Sequence, residues 1–196
     1  MSTPPPARRR ADAERNIAAI LDAAVGLLAE RPGASMAEIA KAAGVARQTV
    51  YAHYASREQL LRAVAERALA RATEAIDAAR PEEGPPAEAL DRLVVAWWEE
   101  VERHARVLDA LHAAFPGEAE VRDFHAPILG RLERLARRGR RGGDFDRELS
   151  PRWLATAFLG LMHAAAEEVA AGRLDAKAAE RALRRAVPRV FGVGGA

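Results

Sequence analysis

Residues 35–54 read SMAEIAKAAGVARQTVYAHY, and this order predicts two short helices joined by a tight turn. Ser35, followed three residues later by Glu38, is a capping box that begins the first helix. Gly44 marks the turn, because glycine readily takes the positive φ angle that a tight turn between helices needs. The apolar positions that this arrangement places inward are Ile39, Ala40, Val45 and Val50.

The second helix of this pair carries polar side chains on its outer side: Arg47, Gln48, Thr49, Tyr51 and His53. Each of them can donate a hydrogen bond and none is acidic, so the surface suits a partner rich in phosphate. Two helices in this arrangement are typical of a helix-turn-helix, whose second helix lies in the major groove of DNA. Arg47 and Gln48 stand near the start of that helix, where arginine pairs with guanine and glutamine with adenine.

Outward from this motif, glycine and proline divide the chain into further helical segments. A periodic apolar pattern predicts a long helix that ends at Pro32-Gly33, and Ser56 with Gln59 is a second capping box that begins another long helix. Five more helices are predicted over residues 87–104, 106–115, 118–138, 151–171 and 175–191. No strand-like alternation persists, so the sequence predicts an all-α protein of nine helices.

Several fixed spacings within residues 15–64 carry a resemblance: Ile39-Ala40, Ala43-Gly44-Val45, Thr49-Val50-Tyr51, Ser56-Arg57-Glu58 and Leu60-Leu61. Together they resemble the DNA-binding domain of TetR-family transcriptional regulators. The resemblance implies a nine-helix, TetR-like fold with four parts. These are a flexible basic arm (1–10), a DNA-binding domain (11–57, motif 35–54), a connecting helix (58–80), and a domain for ligand binding and dimerisation (87–196).

The resemblance also assigns roles to individual side chains. It implies that Thr49, Tyr51 and His53 contact DNA phosphates, and that Arg57 does the same where the family usually has a lysine. Ala46 departs from the pattern, because a serine or threonine often caps the recognition helix there. The missing cap costs roughly 1 kcal/mol.

The C-terminal half contains two further candidate surfaces. A mostly apolar pocket for a small-molecule effector is predicted from Trp97, Val101, Phe115, Phe124, His125 and Met162. The alternative is that these side chains simply fill the core. The apolar stripes of the last two helices predict a homodimer held by a four-helix bundle, with candidate residues Trp153, Phe158, Leu161, Leu183 and Val187.

Composition excludes several classes of protein. The chain has no cysteine, so a disulfide framework and thiolate metal sites are excluded. The histidine spacings match no metal motif, so no metal or cofactor is expected. No apolar run reaches the ~18 residues of a membrane span, so we expect a soluble, cytoplasmic protein with no membrane partner. Residues 1–57 carry eight basic and five acidic groups, which favours an anionic partner at that end.

These observations predict a homodimeric repressor that occupies a palindromic operator in double-stranded DNA and leaves it when a mostly apolar effector binds. The alternatives are an activator or a ligand-independent regulator, and, more remotely, a helical adaptor or enzyme that reuses the fold. No nucleophile or acid–base pair stands out, so an enzyme is not expected. The basic run at residues 137–141 is interpreted as a solvated loop.

Overall fold

The computed structural model describes the backbone of residues 6–104 and 118–194, and the side chains of residues 12–102, 120 and 123–194. Within these ranges the chain forms α-helices and no strand, so the all-α prediction is confirmed. The eight helices are Pro6–Glu30 (α1), Met36–Ala42 (α2), Arg47–His53 (α3), Arg57–Ala78 (α4), Pro86–His104 (α5), Glu118–Gly142 (α6), Pro151–Ala170 (α7) and Ala176–Val190 (α8). The helix predicted over residues 106–115, and the pocket candidate Phe115, lie outside the described residues.

Two segments that were predicted as flexible or looped are helical. The first helix begins at Pro6, so residues 6–10 of the predicted arm belong to it. A proline is tolerated in the first turn, and the alanine and arginines that follow are good helix formers. The basic run at 137–141 lies in the last turns of α6. There Gly139 packs against the ring of Phe145, where an added Cβ would overlap ring atoms.

The described residues divide into two compact units. The first ends at Glu66 and contains α1, α2, α3 and the first part of α4, and the second begins at Arg67. The boundary therefore falls inside α4, within the segment that the sequence analysis assigned as a connecting helix.

In the first unit, α2 packs against both α1 and α3. The buried apolar side chains of the three helices include Ile20, Ala24 and Leu28 of α1, Ile39 and Ala40 of α2, and Val50 of α3. Three of the four positions predicted to face inward are buried, and Val45 is half-buried. The short helix α2 is therefore held on the much longer α1, and α3 is held in turn by α2.

In the second unit, α5, α6, α7 and α8 enclose one apolar cluster. Trp97 of α5 stacks on Phe158 of α7 with ring centroids 5.3 Å apart, and Phe191 meets the Phe158 ring edge-on at 6.4 Å. At the surface, Arg184 of α8 donates two hydrogen bonds of 2.9 Å to the carboxylate of Asp91 on α5. Among the described residues, no helix has the length and hydropathy needed to cross a bilayer.

Candidate nucleic-acid interface

The capping box at the start of α2 is formed as predicted. The Ser35 hydroxyl accepts a hydrogen bond from the Glu38 backbone N–H at 3.3 Å, and the Glu38 carboxylate accepts from the Ser35 N–H at 2.8 Å. Arg31, at the end of the first long helix, donates to the other Glu38 oxygen at 2.6 Å. The bonds from Ser35 and then from Arg31 hold the pKa of Glu38 below its ordinary value of 4.5. The N-terminus of the helix-turn-helix is therefore fixed by local hydrogen bonds.

The turn between α2 and α3 depends on the backbone of Gly44. Its φ angle is +68°, in the left-handed region that glycine favours. The N–H of Gly44 donates to the Lys41 carbonyl at 3.2 Å, and the N–H of Val45 donates to the Ala40 carbonyl at 3.1 Å. A Cβ at position 44 would meet no atom within 4 Å, so glycine is needed there for its φ angle and not for space.

The second short helix, α3, has one fully buried residue, Val50. Its N-cap, Ala46, makes no side-chain hydrogen bond, as the sequence predicted. The remaining candidate side chains lie at least partly in solvent, with Arg47, Gln48 and Tyr51 exposed and Thr49 and His53 half-buried. A seven-residue helix anchored at one apolar position thus offers nearly all of its polar side chains to a partner.

Two of these side chains form a pair. The Arg47 guanidinium lies 5.2 Å from the centre of the Tyr51 ring, and its Nη2 donates a 3.4 Å hydrogen bond to the Tyr51 hydroxyl. The residues are four apart, so they lie on the same face of the helix. Tyr51 is 40% exposed, and it covers one side of the cation without enclosing it. The pairing limits the rotamers of Arg47 before any partner arrives.

Arg57, at the first position of α4, points towards the loop between α1 and α2. Its Nη2 donates to the Pro32 carbonyl at 2.5 Å and its Nε to the Ala34 carbonyl at 3.5 Å. These contacts tie the start of α4 to the segment that leads into the capping box. Sequence reasoning assigned Arg57 to a phosphate and missed this contact. The signal in the sequence that indicates this contact is the arginine itself. Its planar guanidinium can donate to two carbonyls at once, whereas the ammonium of a lysine acts as a point charge.

Comparison with known proteins gives relatives of this region and of the whole fold. The sequence pattern of the bacterial regulatory proteins of the tetR family matches residues 20–64. The solved structure of the TetR-like transcriptional regulator LfrR from Mycobacterium smegmatis is 30% identical to the chain. The alignment covers 86% of this chain and 95% of that one, with a TM-score of 0.56. The chain belongs to the TetR family.

Other TetR-family relatives extend the comparison. The HTH-type transcriptional repressor LfrR of Mycolicibacterium smegmatis is 47% identical over 81 residues, which cover 41% of this chain and 43% of that repressor. The structure of LfrR in complex with proflavine is 29% identical, with 88% of this chain and 95% of that one covered and a TM-score of 0.62. The fatty acid degradation regulator FadR from Bacillus halodurans is 22% identical, covering 91% of this chain and 98% of that one. Its TM-score of 0.73 shows the shared fold.

The membership confirms two sequence-based predictions, the TetR-family resemblance and the class of transcriptional regulator. The family comprises regulatory proteins and not enzymes. In the parts of the chain that the structure describes, no three side chains of histidine, aspartate or glutamate are grouped so that they could hold a metal ion.

The pocket candidates of the second unit lie in and beside its apolar cluster. Trp97 and Met162 are buried in the cluster, and Val101 packs against it. The rings of Phe124 and His125 meet edge-on at 4.9 Å, and those of His125 and His163 at 5.1 Å. His125 is the buried polar side chain of this unit among the residues described.

The dimer candidates separate into two groups. Trp153 is 57% exposed and Leu161 is half-buried, so both present apolar surface on α7. Phe158, Leu183 and Val187 are buried inside the chain's own cluster. Neighbouring helices of the same chain already cover these three side chains, so they have little surface left for a partner.

Proposed function

We propose that this TetR-family chain is a repressor that binds a palindromic operator in double-stranded DNA as a homodimer and is released by a small-molecule effector. The observation that carries the proposal is the outer face of α3, on which Arg47 and Gln48 are exposed and no acidic side chain is present. LfrR, which is 47% identical over the matched region, is itself a transcriptional repressor.

In this proposal, some side chains of α3 contact DNA bases and others contact phosphates. Arg47 and Gln48 read base edges in the major groove, whereas Thr49, Tyr51 and His53 contact phosphates. The pairing with Tyr51 supports the role of Arg47, because a cation held in one orientation loses less entropy when it binds. The two recognition helices of a dimer would enter successive major grooves, about 34–36 Å apart.

Residues after Glu66 would provide the effector site and the dimer surface. The structure of LfrR in complex with proflavine supports a small-molecule effector here as well. Trp97, Phe124 and His125 offer ring faces and one buried polar group of the kind that small-molecule sites use. A homodimer would form through the exposed apolar parts of α7, including Trp153 and Leu161, together with α8.

The test begins with selection of a duplex from a random pool by the full-length protein, because no operator sequence is assumed. Binding to the selected duplex and to a scrambled one is then measured by fluorescence anisotropy for the wild type and for Arg47→Ala. We expect the variant to lose ~1–3 kcal/mol on the selected duplex and to relax preference at one base pair in each half-site. Lys177→Ala, which removes one exposed cation from α8, serves as the charge-matched control.

Two results would contradict the proposal. If selection enriches no palindrome, the chain is not an operator-binding homodimer. If Arg47→Ala weakens binding to the selected and scrambled duplexes equally, Arg47 contacts only the DNA backbone and the assignment of base readout is wrong.

A further inference from the structure

A stripe of four arginines runs along one face of α6. Its members, spaced three or four residues apart, are Arg131, Arg134, Arg138 and Arg141. This spacing brings side chains together on a helix surface. With Asp77 of α4 and with Pro81 and Glu82 of the following loop, they line a cleft of about 280 Å³.

Two of the four arginines are fixed by the chain itself. Arg131 donates two hydrogen bonds to the Asp77 carboxylate, at 2.5 and 2.6 Å. Arg138 donates to the carbonyls of Pro81 at 2.9 Å and Gly84 at 2.5 Å. The pKa of Asp77 is lowered first by the hydrogen bond from Arg131, and the charge of Arg134 lowers it further. These contacts give the cleft a rigid wall of defined shape.

The other two arginines carry no such partner. Within the described residues, Arg134 and Arg141 are exposed and make neither a hydrogen bond nor an ion pair with the protein. The Nε of Arg138 is buried and also lacks an acceptor. The lining also includes Arg137, which pairs with Glu133 at 2.5 Å. Five arginines therefore face the carboxylates of Asp77, Glu82 and Glu133, which leaves an excess of two positive charges. Like charges three and four residues apart on a helix repel each other, so a bound anion would stabilise this arrangement.

The helix dipole explains only part of this pattern. Cations in the last turn of a helix interact favourably with its C-terminal end, and this accounts for Arg140 and Arg141. Arg134 lies two turns before the end of α6 at Gly142, where the dipole effect has faded. The dipole therefore does not account for the Arg134 cation, which lines the cleft.

We propose that this cleft binds a small phosphate-bearing metabolite. Guanidinium groups form short, charge-assisted hydrogen bonds with phosphate oxygens. Arg134 and Arg141 would provide them. The volume of about 280 Å³ lies near the lower end of ligand pockets, about 300–1,000 Å³, which suits a compact ligand. The apolar side chains of Leu135 and Pro81 would contact the part of the ligand that carries no charge.

The test uses inorganic pyrophosphate as the probe and isothermal titration calorimetry of the full-length protein, with no DNA present. We expect saturable binding with one site per chain. The double variant Arg134→Gln/Arg141→Gln should bind pyrophosphate at least tenfold more weakly. The control Lys177→Gln/Arg189→Gln removes the same charge from exposed positions of α8 and should bind as the wild type does. Circular dichroism checks that both variants are folded.

The other possible results of the test each contradict the proposed site. No saturable binding by the wild type at millimolar pyrophosphate, or an equal loss in the control variant, overturns the site. Equal binding of sulfate and pyrophosphate shows a general anion surface and overturns the assignment of phosphate. If pyrophosphate does not bind, a separate anisotropy measurement with a random duplex is made. Weaker duplex binding by the double variant than by the wild type then assigns the arginines to nucleic acid and overturns the metabolite site. None of these results bears on operator recognition by α3, because the operator is absent from the titration.

Discussion

Replacing Arg57 with alanine decides between two roles for the side chain at the start of α4. In the structure its guanidinium is bonded to the carbonyls of Pro32 and Ala34, at 2.5 and 3.5 Å. An arginine that keeps these contacts on DNA holds the loop before α2 and neutralises no phosphate. An arginine that leaves them can release about one counterion per subunit when it binds a phosphate.

The two roles predict different salt dependences. Each phosphate-binding cation that is removed reduces the magnitude of the slope of log K against log salt by about 0.9. A dimer loses one such cation from each subunit, so its slope changes by about 1.8. The loop role predicts no change in slope. It predicts instead a uniform decrease in affinity, because the loop leads directly into the capping box of α2, and α2 packs against α3. The Ala34 hydrogen bond is at the limit of hydrogen-bond length and the Pro32 hydrogen bond is exposed, so we expect a decrease of about 1 kcal/mol, roughly fivefold.

The assay is fluorescence anisotropy with the selected and scrambled duplexes between ~50 and ~200 mM salt, the range over which phosphate contacts dominate affinity. Arg57→Lys is the matched variant, because it keeps the charge and loses the planar fork of donors. The loop role predicts that lysine and alanine behave alike, with an unchanged slope. If alanine flattens the slope by about 1.8 while lysine resembles the wild type, Arg57 is a phosphate contact and the reasoning from the loop geometry is refuted.

Three further predictions concern assembly and folding. Leu161→Arg should give folded monomers in sedimentation velocity, and a wild type that is monomeric at micromolar concentration would exclude the proposed dimer. Gly44→Ala should cost about 1–2 kcal/mol in urea denaturation, because alanine is strained at a φ of +68° even though its Cβ has room; an unchanged midpoint would contradict this. The lowered pKa of Glu38 means that its stabilising contribution is present above the ordinary pKa of 4.5 and is lost as the pH falls through the lower folded value. The wild type should therefore lose more stability than Glu38→Gln on acidification below that pH, and parallel losses in the two proteins would show that the carboxylate does not contribute.

The helix-turn-helix could be predicted from the sequence because each of its boundaries is set by a local rule. A serine three residues before a glutamate closes a capping box, and a glycine between two short helices takes a positive φ angle. The uncapped start of α3 followed in the same way from the identity of Ala46. Each of these features depends on residues within five positions of one another, so no long-range information was needed.

The end of α6 could not be predicted from local rules. Glycines at 139, 142 and 143 indicate a loop by composition, and a basic run between them supports that interpretation. In the structure Gly139 is helical, and the ring of Phe145 occupies the space that a Cβ would take. This glycine therefore allows a distant side chain to approach the helix, a role that local sequence does not reveal. The extension beyond residue 138 carries Arg141 onto the helix face that forms the cleft.

The same limit applies to the predicted dimer surface. A periodic pattern identifies the apolar face of a helix and does not say whether the same chain or a second copy covers it. Most of α7 is apolar, and Leu154, Phe158 and Met162 face the cluster of the second unit. Leu161 is half-buried and Trp153 exposed, so they are what remains after the chain has covered its own core. When part of the apolar surface of a helix is not covered by its own chain, a further partner is indicated. The substitution that tests the dimer therefore belongs at Leu161, because Phe158→Arg would unfold the unit whatever the oligomeric state.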